Sequence, residues 1–508
     1  MKSSRTKNTM INIFVIVLMQ VLNLIYSLVS KSYFLSEFSI SVYGIVDLFS
    51  SFFHSLMLLE LGFGTILIYN LYKPIALKNN EEIRKQLEIF KTIYFYLIVI
   101  IVVVSLLFSP FIYKIFNISY HDAILVYEIY YSNVLHIIIK YWTLNKISIL
   151  NASQEKYIEN ISLLIMDSIS FVFRMIAIVV FRNIYLYMFS QLLIPSLAYL
   201  LEVIWINKHY EVGRIKLISF KFVKESGVLN QCKKYIYATI YSLVFLSMDN
   251  IIISAMLSTD SVAYVTNYNA LLMTGSQFIT TVMVSLRGIM SDYNLKQKSM
   301  EGFYDVFSIV ASFNFVIVSL MIVGFFVLMD DFISLWLGHE YVISGTILIA
   351  LLVIRMLENI FEPINSVFII NGYIFKEKWP LIISALTNFI LTIILIKYFG
   401  LIGAYIATII ALFIKWFGKF YYVLSDIFKE YRIRVLLKYS VYLSLIILEM
   451  IFIKQFVNII VPNVTSLLLF VYKFLIVVIA VLLIDGIIVI QNKSVRTYVR
   501  NTLLNSFK

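Results

Sequence analysis

Apolar residues fill runs of about 20 residues or more along nearly the whole chain, and polar residues are confined to the short breaks between them. Fourteen runs occur, centred near Leu22, Phe53, Ile101, His136, Phe171, Ile194, Phe245, Phe278, Ile317, Arg355, Leu391, Ile410, Ile447 and Val477. About 20 apolar residues in a helix cross the ~30 Å hydrocarbon layer. An open strand in lipid leaves its backbone groups unsatisfied, so the pattern predicts fourteen transmembrane helices. No connection is long enough to hold a soluble domain. The longest, 208–234, separates two groups of six spans and a further pair follows. The expected fold is all-α and polytopic: a six-helix lobe over 1–207, a second over 235–424, and an extra helix pair with a basic tail over 425–508.

Basic residues then set an orientation. The N-terminal tail and every second connection (73–91, 146–160, 208–234, 287–302, 372–378, 425–438 and 491–508) hold 30 Lys and Arg. The other connections hold only Lys114, Arg182, Lys397 and Lys454. By the positive-inside rule, both termini are expected in the cytoplasm. The same split accounts for most of the net charge of +12, which is spread over many short loops, so no nucleic-acid partner is expected. Composition agrees: 61% of the 508 residues are hydrophobic and 14% are charged, against roughly 25% charged in soluble domains. The basic start MKSSRTK leads into an apolar stretch too long for a signal-peptide core, which reads as an uncleaved first span. The single cysteine, Cys232, excludes an intrachain disulfide.

Charged residues inside the runs are the candidate chemistry, because an ionisable group in hydrocarbon is costly unless it is paired or faces a wet cavity. The basic ones are Lys31, Lys140, Arg174, Arg355, Lys415, Lys419 and Lys473; the acidic ones are Glu60, Asp167, Asp249, Glu358 and Glu362. Snorkelling of long side chains to the interface is the plain alternative for Lys31, Lys415, Lys419 and Lys473, and with less reach for Lys140 and Arg174. Asp167 and Arg174 share a helix face, as a structural pair or a cavity wall. In "RMLENIFEP", Arg355 and Glu358 are spaced for an intrahelical pair, and Glu362 precedes Pro363 at an expected helix break. Asp249 is too short to snorkel. Glu60 sits in mid-run beside "GFG", where it either faces a wet lumen or meets a close-packed neighbouring helix.

Nothing points to catalysis. His54, His121, His136, His209 and His339 lack metal-ligand spacing with one another, and no phosphate-binding glycine loop occurs. A membrane glycosyltransferase or polymerase would need an acidic metal–phosphate motif or a long external loop. The chain is therefore expected to be no enzyme and to need no cofactor, metal included.

One block is more specific. "ELGFGTILIYNLYKPIA" followed by "NNEEIRKQLEIFKTIYFYL" resembles the second-to-third-span signature of Wzx-type oligosaccharide flippases, within the multidrug/oligosaccharidyl-lipid/polysaccharide exporter superfamily. "MDNIIISAMLSTDSVAYV", "NGYIFKEKWP" and "FGLIGAYIATIIALFIKW" resemble later parts of the same family, so the likeness runs through the whole chain. The chain departs from the pattern at Phe63, where the family has a small residue, and at Lys31, where it often has arginine. The resemblance implies two lobes facing a central cavity lined by spans one, two, seven and eight. It also implies an undecaprenyl-diphosphate-linked repeat unit as substrate, carried across the bacterial plasma membrane. Polysaccharide polymerase and glycosyltransferases are the implied partners, along with membrane lipids. Lys31, Glu60 and Asp249 fall on the implied cavity spans, and Lys140, Arg174 and Arg355 are further candidates for holding the diphosphate. Proton or Na+ coupling is open. A drug/cation antiporter of the same superfamily is the rival reading.

Overall fold

The computed structural model describes residues 2–58, 61–116, 118, 122–153, 155–210, 213, 215–233, 249–257, 259–295, 299–491 and 495–496. The apolar runs are mostly helical over their described residues, the run near Ile194 being broken by a turn at 194–196, and no strand occurs among those residues. Eight helical segments among them are each long and apolar enough to cross a membrane. The protein is thus an all-α, multi-span membrane protein. Two compact units, Met1–Ala263 and Tyr264–Lys508, each have their own core.

The first unit contains α1 (Lys2–Glu37), α2 (Ile40–Leu58), α3 (Leu61–Ala76), α4 (Asn80–Phe108), α5 (Ile112–Ile115) and α6 (Ala123–Ala152). It continues with α7 (Lys156–Val179), α8 (Ile184–Leu193), α9 (Leu197–His209), α10 (Phe220–Glu225), α11 (Val228–Lys233) and α12 (Asp249–Met256). The run near Phe245 is described only at its α12 end. Polar side chains at the breaks start the helices: Asn79 accepts from the Glu82 N–H at 3.1 Å and Asn183 from the Leu186 N–H at 3.1 Å. Asp122 does the same for α6, accepting from Leu125 N–H at 3.2 Å and from the Tyr185 hydroxyl at 2.8 Å. Those bonds, Tyr185's first, hold its carboxyl below the usual carboxylate range. Helix α6 is the centre of the unit and packs on α2, α3, α4, α8 and α9. Edge-to-face rings knit this centre: Tyr130 lies 5.4 Å from Phe49 and 5.1 Å from Phe53.

The connection after α9 returns along α4. Lys91 donates to the Ile215 carbonyl at 2.9 Å, the Lys216 N–H to Glu88 at 3.2 Å, and the Ile218 N–H to Thr92 at 3.1 Å. Beneath it lies a cavity of about 390 Å³ lined by Asn70, Lys85, Gln86, Phe222, Glu225 and Gln231, among others.

The second unit begins within α13 (Thr259–Leu295) and continues through α14 (Met300–Trp336), α15 (Gly345–Ile360), α16 (Glu362–Ile370) and α17 (Lys378–Phe399). It ends with α18 (Leu401–Tyr422), α19 (Arg432–Ile460) and α20 (Leu467–Gln491). Helix α14 packs on α15, α16, α19 and α20. The break between α15 and α16 follows from Pro363, which has no N–H to give to the Asn359 carbonyl one turn back. Asn314 on α14 fills that role, donating to the Asn359 and Ile360 carbonyls at 3.0 Å each. At the α17–α18 turn, a Cβ on Gly403 would sit 2.3 Å from the Leu395 carbonyl oxygen. Only glycine allows that approach.

In lipid, helices gain little from hydrophobic burial against one another, so polar contacts do much of the joining. Ser170 reaches the Ser190 carbonyl at 2.7 Å, Ser384 the Ala411 carbonyl at 2.7 Å, and Asn388 the Thr408 hydroxyl at 3.0 Å.

Candidate functional site

Three helices of the first unit bring charges to one place, and a fourth, α8, adds a tyrosine. Lys31 on α1 is 3% exposed, and its Nζ lies 3.9 Å from the centre of the Tyr43 ring on α2. Asp47, one turn further along α2, acts on Lys31 electrostatically. Arg174 on α7 hydrogen-bonds the Tyr187 hydroxyl on α8 and also acts on Tyr43. Two turns earlier on α7, Asp167 accepts from the Asn23 side chain on α1 at 3.1 Å and feels Arg174. Beside it, the Tyr26 and Ser168 hydroxyls meet at 2.9 Å, and Tyr26 stacks on Phe171 at 4.5 Å.

The sequence candidates Lys31 and Arg174 therefore share one cluster, with Tyr43 and Tyr187 between them. Lys31 does not snorkel. Its ammonium is held by a π-face and a carboxylate, and its Nζ makes no hydrogen bond among the described residues. A cation so held retains its donors for an incoming anion. Asp47 was absent from the sequence candidates, although it is a lone acid in the apolar run "VYGIVDLF".

Lys140 belongs to a second group on α6, where it acts on His136 and on Glu159 of α7. His136 shares a hydrogen bond with Ser196 at 2.8 Å, and Glu159 accepts from Asn151 at 3.1 Å. Asp249 lies on α12, which packs on α2; the next residue, Asn250, donates to Ser51 of α2 at 2.9 Å. Glu60 lies outside the described residues.

The candidates of the second unit are paired. Arg355 donates to Glu358 at 2.7 Å, the intrahelical pair expected from their spacing, and to Asn269 of α13 at 3.3 Å. Asn359 continues this seam by donating to Ser276 at 2.9 Å. Glu362 sits at the α15–α16 break, 3.7 Å from Arg287. Lys419 and Lys473 do not reach for the interface: Glu377 and Asp331 hold them at 2.7 Å each. A buried ammonium stays inside when a carboxylate meets it there. Among the described residues, no group of three or more His, Cys, Asp or Glu could hold a metal ion.

No family model matches the chain, and no curated protein matches it. Solved structures do. A lipid II flippase, MurJ, in an inward closed conformation superposes with a TM-score of 0.70 at 16% identity, covering 95% of this chain and 99% of that one. An inward-facing multidrug resistance MATE family transporter of the MOP superfamily gives 0.62 at 15% identity, over 78% of this chain and 92% of the other. A Vibrio cholerae MATE transporter, VcmN, gives 0.55 at 11% identity, over 84% and 98%. The chain shares the fold of the lipid II flippase over 95% of its length and that of the two MATE structures over 78% and 84%.

Proposed function

We propose that the protein is a flippase that moves undecaprenyl-diphosphate-linked oligosaccharide repeat units from the cytoplasmic to the outer leaflet of a bacterial plasma membrane. The observation that carries this reading is Lys31: a buried ammonium with unused donors, beside Arg174, on the helices α1, α2, α7 and α8. A diphosphate needs fixed cations to leave water, and lysine meets a phosphate as a point charge. The lipid tail stays in the bilayer while the headgroup follows the polar face. Asp47 and Asp167 balance the two cations when no substrate is present. They are also the groups through which a proton or Na+ gradient would drive alternating access. Glycosyltransferases would supply the repeat unit and a polymerase would consume it.

The fold shared with a lipid II flippase supports the substrate class. The rival, a drug/cation antiporter, draws on the MATE likeness; an acid-lined site without buried cations would suit that role better. The deciding experiment is an isogenic deletion with analysis of lipid-linked sugars. Undecaprenyl-linked repeat units should accumulate and surface polysaccharide should fall, with rescue by the wild-type gene and not by Lys31→Gln at equal abundance. Unchanged polysaccharide with lost tolerance to cationic drugs would establish the antiporter instead.

A further inference from the structure

Helices α19 and α20 carry two carboxyl groups that the transport reading does not use. Glu449 is 3% exposed and Asp485 is 0% exposed, and both point at α14 within the second unit. The Ser319 hydroxyl on α14 donates to Glu449 Oε2 at 2.5 Å. The two carboxyls are neighbours and interact directly with each other. Yet neither oxygen of Asp485, nor Oε1 of Glu449, receives a hydrogen bond from any N–H or O–H among the described residues.

Two carboxylates are both acceptors, so a hydrogen bond between them requires a proton. Without one, two negative charges would face each other in a site that excludes water, next to a single hydroxyl donor. Like charges sharing a buried site do not both ionise. The Ser319 hydroxyl donates to Glu449 Oε2, whereas neither oxygen of Asp485 has a donor among the described residues. That geometry fits Glu449 as the anion, held by Ser319 on one side and by the protonated Asp485 on the other. The next polar contacts along this packing involve other atoms: Tyr442 meets Ser312 at 2.8 Å, and Lys438 reaches Ser308. Toward the Leu467 end of α20, Lys473 is taken by Asp331 and Asn458. Among the described residues, no lysine or arginine appears among the partners of the acid pair.

We propose that Glu449 and Asp485 form a proton-binding site within the C-terminal helix pair, holding one proton that joins α19 to α20 while Ser319 ties Glu449 to α14. Binding is a simple protonation: one proton from water takes the pair from two negative charges to one, and no bond other than the new O–H forms. The proposal needs only that α14, α19 and α20 cross a membrane, so it stands or falls apart from the substrate.

The test is infrared difference spectroscopy on purified, full-length protein in lipid nanodiscs at neutral pH. Wild type is compared with the Glu449→Gln/Asp485→Asn double variant, whose amides replace the carboxyls at nearly equal volume. The double variant should lose the carbonyl band of one protonated carboxyl per chain. Loss of none, meaning two carboxylates, would overturn the proposal; so would loss of two. Should the double variant not fold, wild type alone still decides the matter. Dicyclohexylcarbodiimide reacts with protonated carboxyls in apolar surroundings, and peptide mapping should place its adduct on Glu449 or Asp485. Protection of that site by Na+ at fixed pH, or no adduct even in detergent, would overturn the proposal.

Discussion

The Lys31 ammonium stands 3.9 Å above the Tyr43 ring, and Asp47 follows Tyr43 by one helical turn. Ring and carboxylate thus present one face of α2 to a single cation on α1. This arrangement explains how a lysine stays 3% exposed in a span without a salt-bridge contact. It also predicts energetic coupling. Asp47→Asn removes the charge that offsets Lys31 and should lower thermal stability. Lys31→Met alone should cost less, since it removes the buried cation itself. In the double variant the losses should fall short of additive by about 1–3 kcal/mol, measured by thermal unfolding in one detergent. Strict additivity would mean that Lys31 and Asp47 do not act as a pair.

Arg174 differs from Lys31 because its guanidinium already holds the Tyr187 hydroxyl. Arg174→Lys should keep the charge and lose the fork geometry, so transport should persist at reduced rate. Arg174→Ala should lose transport by roughly 10- to 100-fold, the worth of one charge-assisted hydrogen bond at ~1.5–3 kcal/mol. Complementation of surface polysaccharide, normalised to membrane abundance, measures both. Wild-type export by Arg174→Ala would remove the diphosphate role from this cluster.

Topology can be read with thiol reagents, and the native cysteine sets the background. Burial pushes the Cys232 thiol up to about 11, so almost none of it is thiolate at neutral pH. A maleimide should therefore modify Cys232 slowly in the folded protein and quickly after denaturation. In a Cys232→Ala background, His339→Cys should react from outside with an impermeant reagent. Asn79→Cys and Ser299→Cys, at the starts of α4 and α14, should react only after permeabilisation. Outside labelling at Asn79 would reverse the orientation drawn from the basic residues.

The sequence pattern carried the helices further than the site. Run length and the lipid's demand for internal hydrogen bonds define the spans without any tertiary information, and Pro363 marks the α15–α16 break by its missing N–H. The Arg355–Glu358 pair follows from spacing on one helix. Contacts between helices do not follow from spacing. Nothing in the chain order says that Lys31 meets Tyr43, or that Lys473 meets Asp331 and so has no need to snorkel. Asp47, Glu449 and Asp485 were each visible as a lone acid in an apolar run. Their importance comes from partners on other helices, and the sequence does not pair them.

Arg355 supplies the sharpest remaining test, because its partner is known. Two accounts explain a guanidinium bound to Glu358 at 2.7 Å and to Asn269 at 3.3 Å. In one, the pair only fastens α15 to α13. In the other, Glu358 holds Arg355 in place until a diphosphate displaces it. Glu358→Gln separates them. The amide keeps a carbonyl acceptor for Arg355 but gives up the charge, so the guanidinium becomes easier to draw away. A fastening pair should then lose about 1–3 kcal/mol of stability with no gain in substrate affinity. A displaceable pair should bind the lipid-linked diphosphate more tightly in Glu358→Gln, by roughly tenfold for each ~1.4 kcal/mol released. Arg355→Ala should abolish that binding. The displaceable reading is expected to hold, measured by tryptophan fluorescence or native mass spectrometry with a short-chain lipid diphosphate. Equal affinity of wild type, Glu358→Gln and Arg355→Ala would return Arg355 to a purely structural role.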